Sequence, residues 1–168
     1  CSRCRSNSIH EYSHKFPSKS YGGERRFGVE IELECEDDED PERLARQMKK
    51  AIGKNIIIKS DGSLNNGFEV VTSPLLLEDV IPMCLNIAQA AEKLTMWGDS
   101  DMEAPPKYCE YDDDDHGDSY EQTCGIHVHV SRDSFTKQTL AKMLLLFSEC
   151  RYDVEKIARR NCDEWAHI

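Results

Sequence analysis

No run of about 20 apolar residues occurs anywhere in this chain, so no segment has the length and composition of a membrane-spanning helix. No charged-then-apolar stretch with the layout of a signal peptide stands at the start either, which leaves open a leader upstream of Cys1. Positive charge is also scarce. With 21 Lys and Arg against 32 Asp and Glu, the net charge is -11, and the pI is about 5.0. Clustered cations are needed to neutralise phosphates, so a nucleic-acid partner is not expected. Three sequence signatures are missing as well: the P-loop, the Rossmann glycine fingerprint and the nucleophile elbow. Ordinary kinase and hydrolase chemistry therefore lacks its usual residues.

What is present is enough for one domain, because 168 residues can bury about two thirds of their extended surface. The acidity is concentrated in Glu34 to Asp40 and in Asp112 to Asp115, runs that read as solvated loops. Eight cysteines are many, but Cys84 and Cys150 each sit alone in an apolar segment. That pattern suits reduced thiols of a cytoplasmic protein better than a disulfide framework. Both ends read as cut from something longer, since the chain opens on Cys1 and closes on Trp165-Ala166-His167-Ile168 without a stop signal.

Residues 1–25 are polar and show little periodicity, so they read as an appendage that adds little to the core. Residues 26–34 alternate strictly, with Val29, Ile31 and Leu33 on one side and Glu30, Glu32 and Glu34 on the other, the pattern of a half-buried strand. Pro41 opens a helix to about Ile52 whose apolar face is Leu44, Met48 and Ala51, and Gly53 ends it. Two β-rich runs, 55–59 and 68–72, flank a turn-rich segment, Ser60 to Gly67. Leu77, Ile81, Leu85, Ala88 and Ala91 mark a second helix reaching toward Trp97, placed mainly after Pro82. Residues 99–122 read as a flexible insertion. A second alternating strand follows over 123–132, with Ile126, Val128 and Val130 opposite His127, His129 and Ser131. A single closing helix is expected over 136–158, its buried stripe being Leu140, Met143, Leu144, Phe147, Val154 and Ile157.

Several of these residues can carry chemistry. Glu30 and Glu32 stand two apart on one strand face, which brings their carboxylates about 6 to 7 Å from each other. Such a pair is stable on a solvated face or beside a cation, and hard ions such as Mg²⁺ take oxygen ligands of this kind. His127 and His129 repeat the arrangement with imidazoles, which suit Mn²⁺ and Zn²⁺. Asp61 and Glu69 add carboxylates on either side of the turn-rich segment, although Asp61 alone would serve well as a turn residue. Near the start, Cys1, Cys4, His10 and His14 form a candidate Cys₂His₂ zinc site with unusually short spacing. Cys109, Cys124 or a cysteine pair upstream are alternative ligands.

Four segments taken in order, Phe27-Gly28-Val29-Glu30-Ile31-Glu32, Lys59-Ser60-Asp61-Gly62-Ser63-Leu64, Gly67-Phe68-Glu69-Val70-Val71-Thr72-Ser73-Pro74 and Cys124-Gly125-Ile126-His127-Val128-His129-Val130-Ser131, resemble the amidoligase family. That family is related to glutamine synthetases and glutamate-cysteine ligases. The resemblance covers residues 26–168 and implies an α+β fold, a curved, mostly antiparallel sheet packed by helices, like part of the glutamine synthetase catalytic domain. It implies one Mg²⁺ or Mn²⁺ site at Glu32, Asp61 and Glu69 and a second at Glu30 and His127. His129 would stand near the ATP phosphates, Ser131 would join the nucleotide site, and Glu69 and His129 would act in catalysis. The implied reaction joins an amino-acid, peptide or protein carboxylate to an amine through an acyl phosphate. A family strand of Thr-Val-Glu-Phe-Arg type has no counterpart here, so the domain is expected to be incomplete at its carboxyl end and the chain alone inactive.

Two further readings stand beside the ligase. One is a catalytically incomplete binding or assembly module with a zinc-stapled amino-terminal segment. The other is a zinc hydrolase built on His127 and His129, which lacks a third ligand and a base beside them.

Overall fold

The structure, a computed structural model, describes residues 8–11, 13–16, 24–96 and 124–158. The insertion expected over 99–122 lies outside the described residues, as do Cys1, Cys4 and Cys109. In chain order the elements are strand β1 (Phe27–Glu34), helix α1 (Pro41–Ile52), strands β2 (Ile56–Lys59) and β3 (Gly67–Thr72), helix α2 (Leu77–Lys93) and strand β4 (Ile126–Val130). A 3-10 turn (Arg132–Ser134) then leads into helices α3 (Lys137–Glu149) and α4 (Arg151–Ala158). This is an α+β fold built on an antiparallel four-stranded sheet in the order β2-β3-β1-β4. Among the described residues, no helix is long and apolar enough to cross a membrane.

Local sequence explains most element ends. Asp40 caps α1 by accepting from the Glu42 N–H, and Pro41 takes the first helical position, where its missing donor costs nothing. Gly53 stops the helix at a φ of 90°, a conformation costly for any residue with a Cβ. The β-branched run Ile56-Ile57-Ile58 favours the pleated strand that it forms.

Period-two alternation divides the sheet into an apolar and a polar face. On the apolar side Leu33, Ile56, Ile58, Phe68 and Val70 pack against Leu44, Ala45 and Met48 of α1 and Ile87, Ala90 and Ala91 of α2. The helix faces differ in detail from expectation. Ala45 is buried in place of Ala51, which is exposed. In α2 the buried stripe is Ile87, Ala90 and Ala91, while Leu77, Ile81 and Leu85 are exposed. Both stripes of α2 are apolar, and only docking on the sheet decides which one is covered. Pro82 lies inside α2 rather than at its start. Pro82 and Glu78, whose carbonyl would have received the missing N–H, are both exposed, so water can satisfy the acceptor.

The carboxyl-terminal part departs most from the sequence reading. The single expected helix is two, broken at Cys150 (φ -110°, ψ 30°). None of the residues of α3 is buried, so its apolar residues do not form the expected core stripe. The side chain of Ile157 lies outside the description. Among the described elements α3 packs against α4 alone, and Ile126 and Val128 of β4 are accordingly 68% and 61% exposed on the apolar side of the sheet. Cys84 and Cys150 are free thiols in partly exposed positions rather than core ones.

The amino-terminal segment is tied in more firmly than its composition suggests. His10 forms a parallel bridge to Lys59, donating to Ile58 O and accepting from the Ser60 N–H, both at 2.9 Å. It thereby covers part of the open edge of β2. Ile9 packs against the core.

Candidate functional site

The polar face of the sheet gathers the candidate residues because the three strand pairings share one register. Glu32 lies opposite Glu69, and Glu69 opposite Lys59. One row along, Glu30 lies opposite both Val71 and His127. One row further, Gly28 lies opposite His129. Successive rows are about 6 to 7 Å apart, so the face runs from a carboxylate end to a histidine end.

At the carboxylate end Asp61 joins from the β2–β3 loop. One oxygen each from Glu32, Asp61 and Glu69 lies within 4.8 Å of the other two. Asp61 has a second role: its Oδ1 accepts from the Ser63 N–H at 2.8 Å and from the Ser63 hydroxyl at 2.6 Å, which holds the loop that presents it. The turn reading and the ligand reading of Asp61 are therefore compatible. Glu69 is only 1% exposed, and its Oε1 has no well-formed hydrogen bond among the described residues. Its ionic partner is Lys59, whose ammonium contacts Glu69 Oε1 and stands 3.5 Å from Glu30 Oε1.

At the histidine end, His129 Nε2 is 3.1 Å from Glu30 Oε2, and His127 Nδ1 is 3.5 Å from the same oxygen. His127 Nε2 also reaches Glu32 Oε1 at 4.0 Å, linking the two ends. Ser131 stands just beyond β4. Its Oγ accepts from the Arg26 N–H at 2.9 Å and donates to Glu24 O at 3.4 Å, so its hydroxyl ties the strand ends together.

The charge balance accounts for the proton affinities. Burial would raise the pKa of Glu30, but His129, with Lys59 and His127, more than reverses it and leaves Glu30 below the usual glutamate value. Glu69 is pushed up by its burial, and repulsion from Glu30 and Asp61 adds to this despite the attraction of Lys59. Burial would lower Lys59, but Glu69 and Glu30 outweigh it, so the ammonium holds its proton more firmly than a free lysine. The two raised groups differ in cause: burial dominates for Glu69, whereas the neighbouring carboxylates Glu69 and Glu30 raise Lys59.

The donor set suits a hard divalent cation. Mg²⁺ holds oxygens at about 2.1 Å in an octahedron, so neighbouring ligands sit about 3.0 Å and opposite ones about 4.2 Å apart, and the triad within 4.8 Å would draw together by side-chain movement to bind it. Of the residues singled out from sequence, Glu30, Glu32, Asp61, Glu69, His127 and His129 share this face, whereas Ser131 is occupied at its margin. His10 and His14 stack with ring centroids 4.1 Å apart. Cys1 and Cys4 lie outside the described residues, so only the histidine half of the expected zinc site is described. Lys59 received no role from the sequence, yet it sits between the two groups of carboxylates. Its position before Ser60-Asp61 in a hairpin whose partner strand carries Glu69 is the signal that marks it. Compared with known proteins, the chain matches no family model, no curated protein and no solved structure.

Proposed function

We propose that this chain carries the metal- and nucleotide-binding face of an ATP-dependent carboxylate-amine ligase of the amidoligase type, related to glutamine synthetase. The observation that carries the reading is the convergence of Glu32, Asp61 and Glu69 within 4.8 Å, on the sheet face that also brings Glu30 against His127 and His129. Residues from three separate segments thus draw close enough to share a divalent ion, and the buried Glu69 carboxylate faces a cation already, the Lys59 ammonium. A cytoplasmic setting agrees with Cys35, Cys84 and Cys150, which form no disulfide among the described residues.

Glu32, Asp61 and Glu69 would hold one Mg²⁺ or Mn²⁺, and Glu30 with His127 a second. A bound divalent ion supplies charge neutralisation and orientation for phosphoryl transfer. Glu30 fixes the imidazole of His129 on the face where the nucleotide phosphates would lie. In the reaction an oxygen of the substrate carboxylate attacks the γ-phosphorus, the bond to ADP breaks, and ADP leaves. The amine nitrogen then attacks the acyl carbon, phosphate departs with the electrons of the broken C–O bond, and the nitrogen loses a proton. The substrates fit the class of amino-acid, peptide or protein carboxylates with a primary amine.

Hydroxylamine tests the central step, because it converts an acyl phosphate to a hydroxamate. With ATP and Mn²⁺, a pool of amino acids and peptides should yield ADP and hydroxamate together, and Glu69→Gln should lose both. ATP turnover without hydroxamate would contradict the ligase reading. The zinc hydrolase reading is less favoured, since among the described residues the close ligand cluster is Glu32, Asp61 and Glu69, without a histidine.

A further inference from the structure

Lys59 is a charged residue of the polar face to which the ligase reading gives no task. Its side chain is 8% exposed, and its ammonium bridges Glu69, a member of the carboxylate triad, and Glu30, the carboxylate that the histidines address. A lysine held this way is a cation already in place, on a carboxylate that a divalent ion would need. An ion bound by Glu69 would stand close to that ammonium, and two cations on one buried carboxylate repel strongly.

We propose that Lys59 is a resident counter-cation that competes with the divalent ion for Glu69. Loading of the Glu32-Asp61-Glu69 site, as the first ion to bind and with Glu30 still without one, then requires the ammonium to leave Glu69 and turn toward Glu30. The inference rests on the reading that these three carboxylates bind a divalent ion. The bridging geometry makes the move short, since Glu30 Oε1 is 3.5 Å from Nζ before any movement. Without the ion, Lys59 lessens the repulsion among Glu30, Glu32, Asp61 and Glu69. With the ion bound, the same ammonium stands beside the site against Glu30, where an anionic group such as phosphate carried by the metal can meet it. The device makes occupancy conditional: the bare ion works against Lys59, whereas an ion arriving with phosphate gives the displaced ammonium a new partner.

The test uses Mn²⁺ alone, with free ion measured by electron paramagnetic resonance. Lys59→Met removes the competitor and should tighten Mn²⁺ binding on the order of tenfold or more relative to wild type, while lowering the melting temperature of the metal-free protein. Lys59→Arg keeps the charge and should stay near wild type. If wild type binds Mn²⁺ and Lys59→Met binds equally or more weakly, the competition is refuted while the metal site stands. If Lys59→Met binds and wild type does not, competition holds in its strongest form and the wild-type metal reading fails. Binding by neither overturns both. Should Lys59→Met not fold, acetylation of wild type with acetic anhydride decides: faster modification of Lys59 on adding Mn²⁺ supports the displacement, and an unchanged or slower rate refutes it.

Discussion

Glu69 is where the energetics of the polar face concentrate, because it is buried, faces Lys59 and sits opposite Glu32. Its pKa is raised in the fold, so the stability linked to it is full below its unfolded pKa and is lost as pH rises through the folded value. In the presence of a chelator, wild type should therefore lose stability relative to Glu69→Gln across the window from the ordinary glutamate pKa up to the raised one. Urea melts at a series of pH values measure this, and parallel curves for the two proteins would contradict it. Two glycines give a second test. A Cβ at Gly67 would collide with the Leu33 carbonyl oxygen, whereas one at Gly28 would meet His129 Cβ at an ordinary 3.7 Å. Gly67→Ala should cost about 1–3 kcal/mol through forced displacement of β1. Gly28→Ala should change stability by less than about 1 kcal/mol, and denaturation midpoints separate the two.

Among the elements, β3 does the most to position the site, since it pairs with both β1 and β2 and aligns Glu69 with Glu32 and Lys59. Phe68 anchors it on the apolar side and is fully buried. Phe68→Ala should cost about 3–5 kcal/mol and lower the melting temperature sharply; a shift within error would mean that the core is elsewhere. The strands were legible in the sequence because period two marks both faces at once: Val29, Ile31 and Leu33 alternate with the glutamates of β1, and Ile126, Val128 and Val130 with the histidines of β4. The site candidates followed from the same alternation, since ligands fell on the face opposite the apolar residues. Helix faces were less legible. Leu77, Ile81 and Leu85 form as good an apolar stripe as Ile87, Ala90 and Ala91, and only contact with the sheet separates them. The break at Cys150 has no Gly or Pro to announce it. Lys59 escaped notice because its importance depends on the partner across the hairpin, a pairing that only the register discloses.

At the scale of the whole molecule, stability should grade outward from the two inner strands. β1 and β3 each have a neighbour on both sides and carry Leu33, Phe68 and Val70 of the core, whereas β4 is paired on one side only and α3 packs solely on α4 among the described elements. Amide hydrogen exchange should accordingly be slowest in β1 and β3 and faster by orders of magnitude in α3; equal protection of α3 would contradict this gradient. The sheet is thus a rigid platform for the carboxylate and histidine rows, and the function proposed depends on those rows acting as one site. The most direct test is a thermal-shift titration with Mn²⁺ and ATP, separately and together, of wild type beside the Glu30→Gln, Glu32→Gln double variant. The account predicts that the two ligands together stabilise wild type by more than the sum of their separate effects, and that the double variant folds but loses this synergy. Equal stabilisation of both proteins, or none of wild type, would contradict it.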